Sequence, residues 1–487
     1  MKAFRTLGIV ILALVCTSAF AQEPFTAGTW TKVKNAPPSA VAHMLLLTDG
    51  SVLVNSFFFS THVDSWYRLI PDATGSYVNG TWVNAGTLPS GYNPLYFASA
   101  VLPSGQVFIM GGEYNNGSAV WTTSGALYNP KTNKWSSVKA PTGWTTVGDA
   151  QSVILPNGKL MLANCCTTDQ AILTLTNGVA SWAPTGTGKL DWNDEEGWTL
   201  LPNGKILTVD AYVNLTCCPK GTEIYDPATG AWTAGPPTPL NLVDNGSREV
   251  GPAVLRPDGT VFYAGATTNN VIYDSTTNTW ATAPKFGGTL DIADGPAALL
   301  PNGNVLLDAS PGIFGNGSKF FEWDGTALNA TTAPPNAAID SSYVGNMLVL
   351  PTGQIMFTDF SSDVEFYTPK GAACTGCAPT ITNVAATLTH GSTNNMIRGK
   401  QLNGLSQGSG YGDDNQAATN FPLVRIKDST GALVYCKTHN FSTMGVATGT
   451  TVVGAQFDIP STIALGAGTL QVVTNGIVSN SKAVTIN

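Results

Sequence analysis

The chain has 487 residues, of which 11% are charged, against roughly 25% in an average soluble domain. Hydrophobic residues make 43%, which excludes intrinsic disorder, because a disordered chain needs high charge and few apolar residues. The formal net charge of −8 supplies no basic face for nucleic acid.

The first residues read as an export signal. Lys2 and Arg5 give a positive start, Leu7 to Val15 an apolar run, and Ala19-Phe20-Ala21 a small-residue cleavage pattern, so 1–21 is expected to be removed before Gln22. Losing two cations takes the formal charge from −8 to −10. No later run approaches the roughly 18 apolar residues of a membrane span. A secreted chain in an oxidising compartment is expected, extracellular or periplasmic.

Seven related units follow. They read "HMLLLTDGSVLV", "ASAVLPSGQVFIMGG", "QSVILPNGKLMLA", "GWTLLPNGKILTV", "PAVLRPDGTVFYAG", "PAALLPNGNVLLD" and "NMLVLPTGQIMFT". Each is an apolar run, a polar turn with glycine, and a second apolar run. The turn glycines are Gly50, Gly105, Gly158, Gly204, Gly259, Gly303 and Gly353. Asn-Gly and Asp-Gly between β-rich runs signal hairpins, because the tight turn needs positive φ. A second hairpin follows in several units, with Tyr and Trp seven residues apart: Tyr128 and Trp135, Tyr225 and Trp232, Tyr273 and Trp280. Four strands recurring about every 50 residues are the pattern of a kelch-type propeller blade. Seven units predict seven blades over 22–370. "GTWTKV" near the start and "VEFYTP" in the last unit are expected to share one blade and close the ring.

After Lys370 the composition shifts. Residues 371–378 read as a linker carrying the C-x-x-C of Cys374 and Cys377. Residues 379–487 alternate short apolar strands with glycine turns, as in an immunoglobulin-like β-sandwich. The predicted fold is therefore all-β, a seven-bladed kelch-type β-propeller followed by that sandwich. "GLSQGSGYGDDNQAATNFPLVRI" reads as a long surface loop, with weak calcium binding at Asp413 and Asp414 as its alternative.

Cysteine is read through the compartment. Without Cys16 seven remain, in two adjacent pairs, Cys165-Cys166 and Cys217-Cys218, the C-x-x-C, and Cys436. Adjacent cysteines bridge each other only with strain, so disulfides between the two pairs are expected, with a four-cysteine zinc site as the alternative. Cys436 is left as the odd thiol.

Signal, seven kelch units and C-terminal sandwich together resemble the galactose oxidase family, including the glyoxal-oxidase-like proteins. That resemblance implies an early-set immunoglobulin-like domain at the C-terminus. The family's copper radical oxidases use a cross-linked Cys and Tyr, a Tyr-His pair, and a His from the sandwich domain. Counting back from the turn glycines matches the propeller groups to Tyr96, Asp149 and Tyr343-Val344, and the sandwich His matches His439 in "YCKTHNFSTMG". The Cys-Tyr cofactor is therefore not expected, and one imidazole is lost, which weakens a copper site. The resemblance leaves Asp149, Tyr343 and His439 as an altered metal site and as catalytic candidates.

The residues also speak without the family. The three positions that lie eight to ten residues before each turn glycine hold six carboxylates: Asp149, Asp194, Glu195, Glu196, Glu249 and Asp294. Average usage predicts about one. Tyr96 and Tyr343 flank them, and Trp192 and Arg248 lie close by in sequence. Strand-capping loop carboxylates are the plain reading. The sharper readings are a hard-cation site, an acid/base pair, or a rim that hydrogen-bonds hydroxyls. Among the tryptophans, Trp66, Trp121, Trp144, Trp192 and Trp198 fall outside the Tyr-Trp pattern and could stack on sugars. His43 lies on a strand face that could point inward.

Three functions follow as expectations. The first is a monomeric carbohydrate-binding protein without radical copper. The second is an oxidoreductase on alcohol or aldehyde groups of sugars, holding one copper, manganese or calcium ion. The third is an extracellular matrix or surface interaction protein.

Overall fold

The computed structural model describes residues 25–57, 65–176, 178–213, 216–217 and 220–487. The export signal, His62, Cys218 and the side chain of Cys217 lie outside the described part. Among the described residues there is no α-helix, and the chain is all-β. None of these residues forms a helix long and apolar enough to cross a membrane.

The seven repeat units form seven antiparallel sheets. Six have four strands, and the seventh gains two short additional strands. Each turn glycine joins the first and second strands of its sheet. Gly50, for example, sits at φ 79° and donates its N–H to the Leu47 carbonyl. Such a conformation costs an L side chain energy and costs glycine none.

Burial falls from the first strand outward. Val41–Leu46 and Val52–Ser56 are buried along their whole length, while the outer strand Lys134–Lys139 is mostly exposed. Strands covered on both faces are apolar throughout, which is why the repeats read as continuous apolar runs rather than alternating ones. First strands of neighbouring sheets lie side by side. Val41–Leu46 sits between Ala98–Val101 and Asn346–Val349, and Ala253–Leu255 between Thr199–Leu200 and Ala297–Leu299.

The Tyr-Trp pairs are direct cross-strand partners: Tyr128 opposite Trp135, Tyr225 opposite Trp232, Tyr273 opposite Trp280. Their ring centroids lie 5.0, 5.3 and 4.9 Å apart. Outer tryptophans then tie five of the seven sheets to the one before. The indole of Trp82 donates to Asn35 O, Trp135 to Ala85 O, Trp182 to Lys139 O, Trp280 to Pro236 O and Trp30 to Thr332 O. Thr29–Lys32 pairs antiparallel with Glu365–Thr368, so the sheet of Asn346–Val349 has its outer strand from near the N-terminus. Of the unpaired tryptophans, Trp66 and Trp198 are buried in the core and Trp121 is exposed.

Residues 380–487 form two sheets around a separate apolar core that includes Ile381, Ile397, Val424 and Phe457. This domain packs on the side of the turn glycines. The Tyr435 ring lies where a side chain on Gly50 would stand, and Thr438 donates its N–H to Thr48 O. Cys374 and Cys377 form a disulfide, and the Cys374 N–H donates to Pro301 O. Cys436 is a free thiol inside the sandwich core.

Candidate functional site

The loops before the first strands open on the side opposite the turn glycines, and the carboxylates meet there. Ligand oxygens of Glu195, Glu249 and Asp294 lie within 4.8 Å of one another. Their backbones are unusual. Tyr96, Glu195, Arg248 and Asp294 all have φ between 44° and 76°. Non-glycine residues hold that conformation only where the surroundings over-determine it, and such positions cluster at functional sites.

The C-terminal region of two sheets also reaches this side. Residues 405–419 run from the sandwich through the middle of the sheets. Ser409–Gly410 pairs with Ala297–Ala298, the Asn415 N–H donates to Phe97 O, and the Tyr411 hydroxyl donates to the Tyr343 carbonyl. Gly412 lies against Asp294 Oδ1 with no room for a side chain. The segment carries Asp413 and Asp414 into the centre, where they are 1% and 2% exposed. Expected as a surface loop, it is instead an insert. Its glycines allow the close approach, and its buried aspartates belong to the carboxylate centre.

Too many acids share too little charge compensation. Burial pushes Glu195, Glu249, Asp413 and Asp414 well above the usual carboxylate range, and the neighbouring carboxylates add to the shift. Burial raises Asp294 to about 6, and burial and then Asp294 raise Glu113 to about 7. Glu249 Oε2, Asp294 Oδ1, Asp413 Oδ2 and Asp414 Oδ1 are buried without a hydrogen-bond partner. Such oxygens are costly unless something positive completes them.

An aromatic cavity of about 230 Å³ opens beside this centre, lined by Phe57, Asn93, Leu95, Tyr96, Tyr114, Gly117, Tyr343 and Phe360. Phe57 and Phe360 stack at 4.1 Å. Burial and then Asp294 hold the Tyr96 hydroxyl protonated, and it has no hydrogen-bond partner. On another flank Trp192 lies 5.1 Å from Tyr212, and Arg248 covers the same Tyr212 ring at 5.2 Å.

Asp149 and Asp194 stand by the adjacent thiols. Cys165 and Cys166 are free, so the expected disulfides from this pair to Cys217 and Cys218 are not made. Both sulfurs turn onto Asp194 Oδ1, at 3.8 and 3.4 Å. Burial raises Asp149 to about 8 and also lifts Asp194.

Two expected site residues lie elsewhere. Glu196 turns away from the centre into a closed network, where Lys189 Nζ lies 3.1 Å from its carboxylate and also contacts Asp191 and Glu223. His439 is not at the centre. Its ring is 3.0 Å from Asp458, and its neighbours Thr438 and Asn440 bond Thr48 and Pro103 at the turn-glycine side. Tyr343 and Asp149 stand at the opposite ends of the first strands, so the altered metal site of Asp149, Tyr343 and His439 is not assembled. The resemblance matches His439 to the family's inserted hairpin, whereas this chain inserts 405–419. His43 is buried beside Ser99, 2.9 Å away, and burial lowers it to about 3, so it stays neutral.

Copper needs imidazole or thiolate donors to be favoured over hard cations. The carboxylate centre has oxygen donors and, among the described residues, no histidine, so it does not fit copper. Its donor set fits a hard cation.

No protein-family model matches the chain, and no curated protein matches it. Among solved structures, the fold is similar to that of a fungal alcohol oxidase of the AA5 family, described in complex with copper. The TM-score is 0.52 and the identity 12%, over 95% of this chain and 99% of that one. The extracellular domain of a hybrid two component system from B. thetaiotaomicron aligns at TM-score 0.49 and 10% identity, over 95% of this chain and 60% of that one. At such identities the likeness to the oxidase concerns the fold alone.

Proposed function

We propose that this chain is a secreted carbohydrate-binding protein, built as a seven-bladed propeller with an immunoglobulin-like domain, that works without radical copper. Seven sheets, five of them tied by an indole to the one before, and an outer strand donated from near the N-terminus support the propeller reading. Tyr96 and Tyr343 carry the functional reading. They line the aromatic cavity, and they also belong to the surroundings of the buried carboxylates. Sugar recognition asks for that pairing: an aromatic face for the C–H side of the ring and acceptors for its hydroxyls. A hard cation at Glu195, Glu249, Asp294, Asp413 and Asp414 would neutralise the acids and present a ligation point for vicinal hydroxyls. The oxidoreductase reading loses its support with His439.

The test is a glycan array with the full chain, followed by calorimetry with calcium and with a chelator. Binding to a defined sugar class, weakened about tenfold or more by Tyr96→Ala or Phe360→Ala, is the expected result. A chain that binds no glycan with calcium present leaves this reading without substance.

A further inference from the structure

The adjacent thiols stand apart from the oxygen-only centre in their chemistry. Sγ of Cys165, Sγ of Cys166 and a carboxylate oxygen of Asp194 lie within 4.8 Å of one another. Three elements bring them together. Cys165 follows the strand Leu160–Ala163 and bridges to Asn193, the residue before Asp194. Cys166 adopts φ 65°, which turns its side chain to the same side. A fourth group completes the cluster. Asp149 is 7% exposed, its carboxyl faces Cys165, and its Oδ1 is buried without a hydrogen-bond partner. Cys165 and Asp149 close the inner side, while Cys166 and Asp194 are half-buried on the outer side.

We propose that Cys165, Cys166 and Asp194, with Asp149 beside them, form a binding site for a zinc-class dication. Two thiols and two carboxyls are a borderline-soft donor set, which suits zinc over calcium. On binding, Zn²⁺ replaces the two thiol protons and the proton of any carboxyl ligand that carries one; all leave to solvent, and no electron moves. The charged groups facing the cluster are Glu113 and Asp149, which favour a dication, and Arg248, which leans on Asp194 and opposes it. The negative groups outnumber the positive one. The site would brace the loop after the third sheet's second strand against the loop that carries Asp194 and Glu195. It does not depend on the carbohydrate reading, because its ligands are not those of the oxygen centre.

The experiment uses the full chain, purified reduced and metal-free, with zinc and then cobalt(II) as probes and excess calcium present. One equivalent of zinc retained against calcium, and a thiolate-to-cobalt charge-transfer band, are the expected results. Cys166→Ser, at the half-buried position, should weaken zinc binding about tenfold or more. It should also diminish the band, with an unchanged circular dichroism spectrum. Cys436→Ser serves as the thiol control and should change neither. If Asp149→Asn or Cys165→Ser fails to fold, Cys166→Ser and the cobalt spectrum still decide. Displacement of zinc by calcium, or a band that survives Cys166→Ser, overturns the site. So does a Cys165–Cys166 disulfide found by peptide mapping of the exported protein.

Discussion

Glu195 and Glu196 are neighbours in sequence and belong to two different kinds of acid cluster. Glu196 joins Asp191 and Glu223 around the fully buried Lys189. Each of those carboxylates meets a cation, and Leu190 and Ala211 donate backbone N–H groups to Glu223 and Asp191. Glu195 joins Glu249, Asp294, Asp413 and Asp414, where several buried oxygens have no partner. Both clusters lose solvation through burial, yet only the first carries its own counter-charge. The first holds its own cation, although Asp210 beside it keeps one buried Oδ1 without a partner, whereas the second has no ion pair among the described residues and calls for an external cation or a ligand. Buried carboxylates therefore point to function only where their compensation is missing.

The largest test breaks the first cluster. Lys189→Met leaves three buried carboxylates unpaired and should cost about 3–5 kcal/mol in urea unfolding. A loss under about 1 kcal/mol would mean that the network is not a self-contained unit.

The opposite sign is expected at the centre. Asp413→Asn or Glu249→Gln removes one of several crowded acids, so at pH 8 without metal the variant should be more stable by about 1–2 kcal/mol. The same change should erase most of the thermal stabilisation that calcium gives to the wild-type chain. Thermal shift with calcium and with chelator reads both, and a metal-free variant less stable than wild type would equate the two clusters.

Proton linkage sharpens the contrast. The central acids have folded pKa values above their unfolded ones, to about 6 for Asp294 and well above the usual carboxylate range for Glu195 and Glu249. Below about pH 4 both states are protonated and these groups cost nothing. As pH rises to about 8, the folded state holds protons that the unfolded state has lost, so metal-free stability falls. The melting temperature without metal should therefore drop across that window, and calcium should flatten the drop. Calcium affinity should rise over the same range. A metal-free melting temperature that climbs steadily from pH 5 to pH 8 would contradict the shifts.

The smallest effect belongs to His439. Its pair with Asp458 is partly exposed and is worth less than about 1 kcal/mol. His439→Ala should leave calcium and glycan binding at the wild-type level by calorimetry.

Much of this architecture is legible in the amino-acid sequence. Seven glycine turns announce seven sheets, because a local hairpin needs only its own residues to select a positive φ. The Tyr-Trp spacing announces cross-strand pairs for the same reason. The density of carboxylates before the first strands marks the side where Asp149, Asp194, Glu195, Glu249 and Asp294 meet. Three signals in the site point elsewhere. Glu196 looks equivalent to Glu195, yet adjacent residues in an extended segment face opposite ways. His439 matches the family's histidine by its local sequence, yet a local match cannot tell which C-terminal loop threads between the sheets. Asp413 and Asp414 sit in the segment that does thread, and adjacent aspartates flanked by glycines, in a chain poor in acids, are the available hint.

Local patterns thus settled the all-β character, the repeat count and the side on which acids gather, since each depends on contacts within a few residues. Folding in three dimensions settled which acids are compensated, which thiols face Asp194 and which segment of the sandwich reaches the centre. Those outcomes depend on contacts between residues far apart in the chain, such as Tyr411 with Tyr343 and Ser152 with Gln416. Nothing in the spacing of one segment encodes where another will end.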